Sequence, residues 1–348
     1  MQDEQTTRTE LSTLGEFGLI KRLTKKFKSK NDSTVKAVGD DAAVINNKDK
    51  QTLISTDMLV EGIHFDLMYM PLKHLGYKAV VVNLSDIYAM NALPKQITIS
   101  LAISNRFSVE GLEELYEGIS HACEVYGVDL IGGDTCSSPK GLVISVTAVG
   151  EAKAEDIVYR TGAQVNDLLC VSGDLGASYL GLQILEREKR IFLEDKSIMP
   201  DLENQEYLIG RQLKPEARRD VIEIFKQINI KPTSMIDVSD GLASEIFHLC
   251  EQNKTGCRLF EEKIPISEEA YNMALKFKLD PTTCALSGGE DYELLFTIKP
   301  EEFEKVQPVS DFSVIGFLTP EAEGINLYTK GGNVHALTAQ GWNAFTEK

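Results

Sequence analysis

A helical apolar pattern in the first half of the chain contains a carboxylate. Five residues recur at intervals of four, three, four and four positions, and they are Leu75, Ala79, Val82, Asp86 and Met90. At these intervals they share one face of an α-helix, which we expect to begin near Pro71. A buried carboxylate is costly unless a partner or a cation compensates its charge. Any fold that buries this helix must therefore supply a compensating group or a metal ion to Asp86.

Six short clusters share a polar composition: small residues, one or two carboxylates and, in most, a hydroxyl or amide. They lie at predicted strand ends or helix starts, at 39–41, 55–57, 83–86, 132–135, 237–240 and 288–291. Each cluster alone is compatible with an ordinary turn or helix cap, because Asp, Ser and Gly serve both. Six of them in one chain, together with a carboxylate on an apolar stripe, favour a shared function.

Convergence of several clusters would bring five or six carboxylates together, and their charges would need compensation. Hard oxygen ligands suit Mg²⁺, which keeps some of its waters and is shared with phosphate groups. The five histidines show no zinc-binding spacing, and the sequence has no P-loop, no dinucleotide-binding glycine motif and no protein-kinase catalytic loop. The residues themselves thus predict a magnesium-bridged nucleotide site.

The composition of the 348-residue chain limits its partners. The chain has 36 Lys and Arg against 53 Asp and Glu, a net charge of −17, which argues against a general nucleic-acid binder. Its six cysteines form no C-x-x-C pair, which favours reduced thiols. No charge-free apolar run approaches the roughly 18 residues that span a bilayer, and the polar N-terminus is unlike a signal peptide. We expect a soluble, cytoplasmic protein with no membrane partner.

The chain length predicts two domains or one large domain. Residues 1–13 are polar and without periodicity, which predicts a disordered tail. The small, polar stretch 151–156 is the predicted boundary between an N-terminal domain over 14–150 and a C-terminal domain over 151–348. In the second domain predicted strands and helices alternate, which is typical of an α/β fold.

Several predicted elements have specific boundary signals. An amphipathic helix is predicted around residues 17–27. Another helix is predicted to be capped by Ser108 and ended by Gly127. A strand over 128–131 is predicted to end in a Gly-Gly-Asp-Thr turn, and Pro215 is predicted to open a helix that runs through Gln227.

Eight segments, in chain order, resemble the thiamine-monophosphate kinase family. They are GEFGLI (15–20), GDDAAV (39–44), STDMLVEGIHF (55–65), LGYKAVVVNLSDIYAM (75–90), LIGGDT (130–135), IDVSDGL (236–242), SGGEDYELLFT (287–297) and GW (341–342). They cover nearly the whole chain, and their combination is far more specific than any one segment. The family belongs to a superfamily of ATP-dependent enzymes that includes aminoimidazole ribonucleotide synthetase, selenophosphate synthetase and a hydrogenase-maturation enzyme.

The resemblance implies a fold and a reaction. The fold would be an N-terminal α+β domain that dimerises through its sheet and a C-terminal α/β domain, with ATP bound between them. The reaction would be the Mg²⁺-dependent conversion of ATP and thiamine monophosphate to ADP and thiamine diphosphate by a homodimer. Two alternatives stay open: another ATP-dependent synthetase of the superfamily, and a metal-binding or regulatory protein without activity.

The resemblance also assigns site residues, motif by motif. The implied metal ligands are Asp41, Ser55, Thr56, Asp57, Asp86, Asp134, Asp237 and Asp240. The implied ATP contacts are Tyr116, Gly133, Asp134, Arg160 and Ser239. The implied contacts to thiamine phosphate are His64, Glu290 and Trp342. No general base is expected, because the acceptor is a phosphate monoester that is already largely ionised.

Four of these assignments have a plain structural alternative. His64 could be a hydrogen-bonded loop histidine, and Tyr116 could belong to the core of its helix. Arg160 could form a surface ion pair, and Trp342 could close the edge of its domain.

Overall fold

The computed structural model describes residues 34–36, 40–41, 43–47 and 49–338. The predicted tail over 1–13, the predicted helix around 17–27 and Trp342 lie outside the described residues. Within the described part of the chain, no helix combines the length and the apolar character needed to cross a membrane.

The described residues form thirteen strands and nine α-helices. The strands are β1 (Thr34–Lys36), β2 (Ala43–Asn47), β3 (Lys50–Val60), β4 (Leu93–Ile103), β5 (Asp129–Ser137), β6 (Val143–Ala152), β7 (Leu168–Ser172), β8 (Ser234–Asp237), β9 (Thr255–Phe260), β10 (Leu294–Ile298), β11 (Phe312–Pro320), β12 (Ile325–Tyr328) and β13 (Val334–Ala336). The helices are α1 (Leu72–Ala89), α2 (Val109–Tyr126), α3 (Ala177–Glu194), α4 (Glu206–Leu213), α5 (Arg219–Gln227), α6 (Leu242–Asn253), α7 (Glu268–Lys276), α8 (Pro281–Ser287) and α9 (Phe303–Val306).

The strands form two mixed sheets, one in each half of the chain. The first has the order β1-β2-β3-β6-β4-β5, and only the β4–β5 pair is parallel. The second has the order β13-β12-β9-β11-β7-β10-β8, and only the β9–β12 pair is parallel. The molecule thus has two α/β domains with mixed sheets.

The second sheet is more antiparallel than the alternation of predicted strands and helices indicated. A helix between two strands is the usual connection of a parallel crossover, but it can equally join strands that are not neighbours in the sheet. Here β7 is flanked by β10 and β11, which come much later in the chain. The position of the domain boundary stays a prediction; β6 ends at Ala152 and β7 begins at Leu168.

Helix α1 lies between the two domains. It contacts β3, β4 and β6 of the first sheet and β8 of the second, and fourteen of its eighteen residues are buried. A single hydrophobic core includes Leu84 and Ile87 of this helix together with Phe225 and Phe296 of the C-terminal domain. Helix α1 is therefore buried on nearly all sides.

Helix α2 packs against α1 through direct backbone contact. A Cβ atom added to Gly76 would lie 2.0 Å from the carbonyl oxygen of Leu115, and one added to Gly118 would lie 1.9 Å from that of Lys73. Glycine is thus required at both positions of this crossing, because any side chain would push the helices apart.

The structure confirms the predicted limits of α2 and corrects two other predictions. The Ser108 hydroxyl accepts a hydrogen bond from the Gly111 amide, and Gly127 ends the helix at φ 67°. The predicted turn at 132–135 is wrong, since these residues continue β5 in a parallel ladder with β4. The helix predicted from Pro215 begins only at Arg219. Residues 214–218 remain a loop, in which Glu216 contacts the N-terminal domain through two tyrosine hydroxyls.

Candidate functional site

Helix α1 positions the centre of the site through its last two turns. The side chain of Asn83 accepts a hydrogen bond from the Asp57 amide at 2.9 Å. The Ser85 hydroxyl donates to Asp237 Oδ2 at 2.6 Å, and Asp86 Oδ2 accepts a hydrogen bond from the Ser55 hydroxyl. The helix is thereby joined to β3 on one side and to the end of β8 on the other.

Three carboxylates from distant parts of the chain meet beside α1. Asp41, Asp86 and Asp237 each offer one oxygen, and these oxygens lie within 4.8 Å of one another. Asp41 and Asp237 are buried and Asp86 is partly buried. The convergence predicted from the acidic clusters therefore occurs for these three residues.

The electrostatics of the cluster show that its negative charge is only partly compensated. Burial, followed by the charge of the neighbouring Asp57, raises the pKa of Asp86 well above its ordinary value. Burial raises the pKa of Asp237 to about 7, and the charge of Asp41 adds to this shift. Like charges in a desolvated place oppose ionisation, and a divalent cation reverses that balance.

The cluster fits Mg²⁺. Every donor atom on these three side chains is a carboxylate oxygen, which is the hard ligand that Mg²⁺ prefers, and no histidine or cysteine takes part. Ser55 and Ser85 occupy one oxygen each of Asp86 and Asp237 and thus fix the orientation of both carboxylates.

Arg160 binds the same cluster from the C-terminal side. Its Nε donates to Asp41 Oδ2 at 3.0 Å and its Nη2 donates to Asp41 Oδ1. Its side chain is only 15% exposed, so this is a buried pair and not the surface ion pair that the sequence left open. Burial opposes the charge, but Asp41 outweighs it and raises the pKa of Arg160, so the guanidinium is a fixed cation.

The loops 238–241 and 288–292 lie against each other next to Asp237. The Glu290 amide donates to the Ser239 carbonyl at 2.7 Å. A Cβ atom on Gly289 would lie 2.7 Å from that same carbonyl oxygen, so glycine is needed there. The Asp240 amide donates to Glu245 Oε1 at 3.0 Å. Ser239, Asp240 and Glu290, three of the predicted site residues, are thus brought together.

Two side chains that the sequence did not single out hold Glu290. Lys78 Nζ donates to Glu290 Oε2 at 3.0 Å, and Gln212 Nε2 donates to the same oxygen at 2.8 Å. For Lys78 a signal existed, because it is a cation next to the apolar run 79–82 of a helix that was predicted to be buried. For Gln212 the sequence offers no comparable signal.

The structure does not bring every predicted residue to the cluster. The Thr56 side chain points to the opposite face of β3 from Ser55 and Asp57, where its hydroxyl donates to the Val146 carbonyl at 3.0 Å. Gly133 and Asp134 lie on β5, three strands from β3 in the sheet, or about 14 Å of backbone spacing.

Two further predicted residues lie at the periphery. Tyr116, on α2, is 40% exposed, so it does not belong to the core. His64 follows β3 in a loop, where its Nδ1 accepts a hydrogen bond from the Val60 amide at 3.0 Å. The roles of His64, Tyr116, Thr56, Gly133 and Asp134 therefore stay predictions.

Comparison with known proteins identifies other proteins with this fold. Residues 39–152 match the family model of the AIR synthase related protein, N-terminal domain. The hydrogenase maturation protein HypE in complex with ATP superposes with a TM-score of 0.67 over 95% of this chain and 98% of its own, at 19% identity, which shows a shared fold. The chain thus has a two-domain fold shared with that protein, and its N-terminal part matches the AIR synthase-related domain.

Relatives with higher sequence identity identify the family of the chain. The thiamine-monophosphate kinase of Aquifex aeolicus is 37% identical over 96% of this chain and 99% of its own length. That of Bacillus subtilis is 35% identical over 84% of this chain and 86% of its own. The structure of AaThiL complexed with AMPPCP and TMP superposes with a TM-score of 0.82 at 34% identity, over 98% of this chain and 100% of that one. The chain belongs to the thiamine-monophosphate kinase family.

Proposed function

We propose that this protein transfers the terminal phosphoryl group of ATP to thiamine monophosphate, giving ADP and thiamine diphosphate. Its membership of the family over nearly the full length supports the reaction, as does the relative that was solved with the ATP analogue AMPPCP and with TMP. The observation that carries the mechanism is the convergence of Asp41, Asp86 and Asp237.

The reaction must bring two negatively charged phosphate groups together, and residues of the site can compensate that charge. The acceptor phosphate is already ionised and needs no general base, so the main obstacle is repulsion between two polyanions. Mg²⁺ held by Asp41, Asp86 and Asp237 would neutralise phosphate charge. Arg160 supplies a fixed cation for the nucleotide phosphates, and Ser85 keeps the Asp237 carboxylate oriented through its hydrogen bond. We propose a direct in-line transfer without a phosphorylated enzyme.

The remaining assignments belong to the same proposal. Ser55, Thr56, Asp57, Asp134 and Asp240 are proposed as further metal ligands, and Tyr116, Gly133, Asp134 and Ser239 as further ATP contacts. His64, Glu290 and Trp342 are proposed to bind the thiamine phosphate.

A homodimer is proposed through the first sheet. Strand β5 is the last strand of that sheet and is exposed along its whole length. Its Leu130 and Ile131 are 43% and 60% exposed. An exposed edge with apolar side chains is suited to pairing with a second copy.

The reaction is tested by incubating the protein with ATP, MgCl₂ and thiamine monophosphate and separating the products by chromatography. We expect one thiamine diphosphate for each ADP, no ADP without the acceptor, and no product when EDTA is in excess. Release of ADP without thiamine diphosphate would contradict the proposal. A panel of other phosphorylated and carboxylated metabolites in the same assay tests the alternative of a different synthetase of the superfamily.

A further inference from the structure

Lys78 is a buried cation that the mechanism above does not use. Its side chain is 1% exposed, in the middle of α1. The ammonium group donates to Glu290 Oε2 and to the main-chain carbonyl of Gln212, both at 3.0 Å. Burying a charge is costly unless it is paired and hydrogen-bonded. The pair joins the N-terminal domain, through α1, to the loop of the C-terminal domain that bears Glu290.

The donors around Glu290 all converge on one of its two carboxylate oxygens. Gln212 Nε2 donates to Oε2 at 2.8 Å, as Lys78 does at 3.0 Å. The Gln212 amide is itself oriented, because its Oε1 accepts a hydrogen bond from the Ser178 hydroxyl at 2.7 Å. Among the described residues, no hydrogen bond reaches Glu290 Oε1, and the side chain is 27% exposed. The pair thus leaves Oε1 available to a ligand.

The backbone of the loop is held in an unfavourable conformation. Glu290 has φ +63° and Tyr292 has φ +53°, both in the left-handed region that residues with a side chain rarely adopt. The Tyr292 amide donates to the Val238 carbonyl at 2.8 Å and the Glu290 amide to the Ser239 carbonyl. Backbone strain that is retained by surrounding contacts is typical of functional sites.

We propose that Lys78 is a positioning residue, which fixes the Glu290 carboxylate so that its second oxygen binds the acceptor. The part of an acceptor that this oxygen fits is an amino group or a cationic ring, both of which thiamine monophosphate has. This inference rests on the proposed function and deepens it. Lys78 and Asp86 lie eight residues apart on one helix, or about 12 Å along its axis. Helix α1 therefore fixes the separation between the acceptor-binding carboxylate and the metal cluster.

The test is the variant Lys78→Met in the full-length protein, with Lys73→Met as its matched control. Loss of a charge-assisted contact is expected to raise KM for thiamine monophosphate about tenfold or more. We expect KM for ATP to be unchanged and kcat at saturating acceptor to fall less than about threefold, because only acceptor binding is affected. Lys73 lies on the same helix, is 58% exposed and pairs with Glu117 at the surface, so its replacement should change neither constant.

A double-mutant cycle separates positioning from a general structural role. Glu290→Gln should also raise KM for the acceptor. The KM of the double variant Lys78→Met/Glu290→Gln should not exceed the higher of the two single-variant values, because both changes act on one contact. Calorimetric titration of thiamine monophosphate in the presence of Mg²⁺ and AMPPCP should give dissociation constants that change by the same factors. Independent, multiplying effects in the cycle would overturn the proposal.

A second variant covers the case in which Lys78→Met does not fold. Gln212→Met removes the other donor to Oε2 and should raise KM for the acceptor about threefold or more. The inference is wrong if this constant is unchanged, or if affinity for ATP falls as much as affinity for the acceptor. If the wild-type protein makes thiamine diphosphate while the variants keep the wild-type KM, only the role of Lys78 fails. If the wild-type protein neither makes the product nor binds thiamine monophosphate, the proposed function fails as well.

Discussion

The Asp86 carboxylate lies beside Asp57, Asp237 and Asp41, and burial together with these charges raises its pKa. The change Asp86→Asn keeps the shape and the acceptor for the Ser55 hydroxyl but removes the charge. We expect the phosphoryl-transfer rate to fall about 100-fold or more, because the proposed cation site loses a ligand. In metal-free buffer the free energy of unfolding should stay equal or increase, since the repulsion is relieved. Steady-state kinetics and urea unfolding in EDTA measure the two effects.

The control for this residue is Asp156→Asn, which neutralises an exposed turn carboxylate. It should leave both the rate and the unfolding free energy close to those of the wild type. If Asp86→Asn keeps the wild-type rate, or loses stability in proportion to its rate, then Asp86 is a structural residue and the proposed metal site loses its central ligand.

At the scale of elements, α1 and α2 cross so closely that their backbones touch at Gly76 and Gly118. Gly118→Ala should lower the free energy of unfolding by about 2 kcal/mol or more, since the new methyl group overlaps the Lys73 carbonyl. Gly111→Ala is the matched control on the same helix. There the added atom meets the flexible end of Leu72 at 3.3 Å and the Ser108 hydroxyl at an ordinary contact distance of 3.7 Å, and stability should remain within about 1 kcal/mol of the wild type.

Thermal and urea denaturation measure this pair of variants. Equal effects of the two alanines would show that the helices can separate without cost, and would contradict the close crossing. A selective loss in Gly118→Ala should also reduce activity, because α1 bears the residues that position the carboxylates.

The elements also show what a sequence can and cannot predict. Helix α2 was predictable because its cap and its end are encoded locally, by Ser108 and Gly127. The turn predicted at 132–135 was wrong because the parallel ladder with β4 outweighs the local preference of two glycines. Asp86 was recognisable from its place in the helical period, but its partners Ser55 and Asp237 follow from topology. Lys78 and Glu290 are 212 residues apart, and no local pattern joins them.

At the scale of the whole molecule, a ligand that bridges the carboxylates and Arg160 would tie the two domains together. Adding MgCl₂ with AMPPCP should therefore raise the melting temperature by a few degrees, since a ligand at 100 times its Kd adds about 2.7 kcal/mol. Differential scanning fluorimetry measures the shift, with NaCl at matched ionic strength as the control. Asp86→Asn should abolish most of it. An equal shift in the wild type and in this variant would place the ligand elsewhere.

Because one continuous helix bears Lys78, Asn83, Ser85 and Asp86, the site cannot tolerate insertions or deletions there. One residue inserted between Lys78 and Asn83 would turn the end of the helix by about 100° and advance it by about 1.5 Å. Ser85 and Asp86 would then face away from their partners, while Lys78 would stay in place. With the roles proposed above, acceptor choice in this scaffold would be engineered at His64, Glu290 and Trp342, while α1 is kept at constant length.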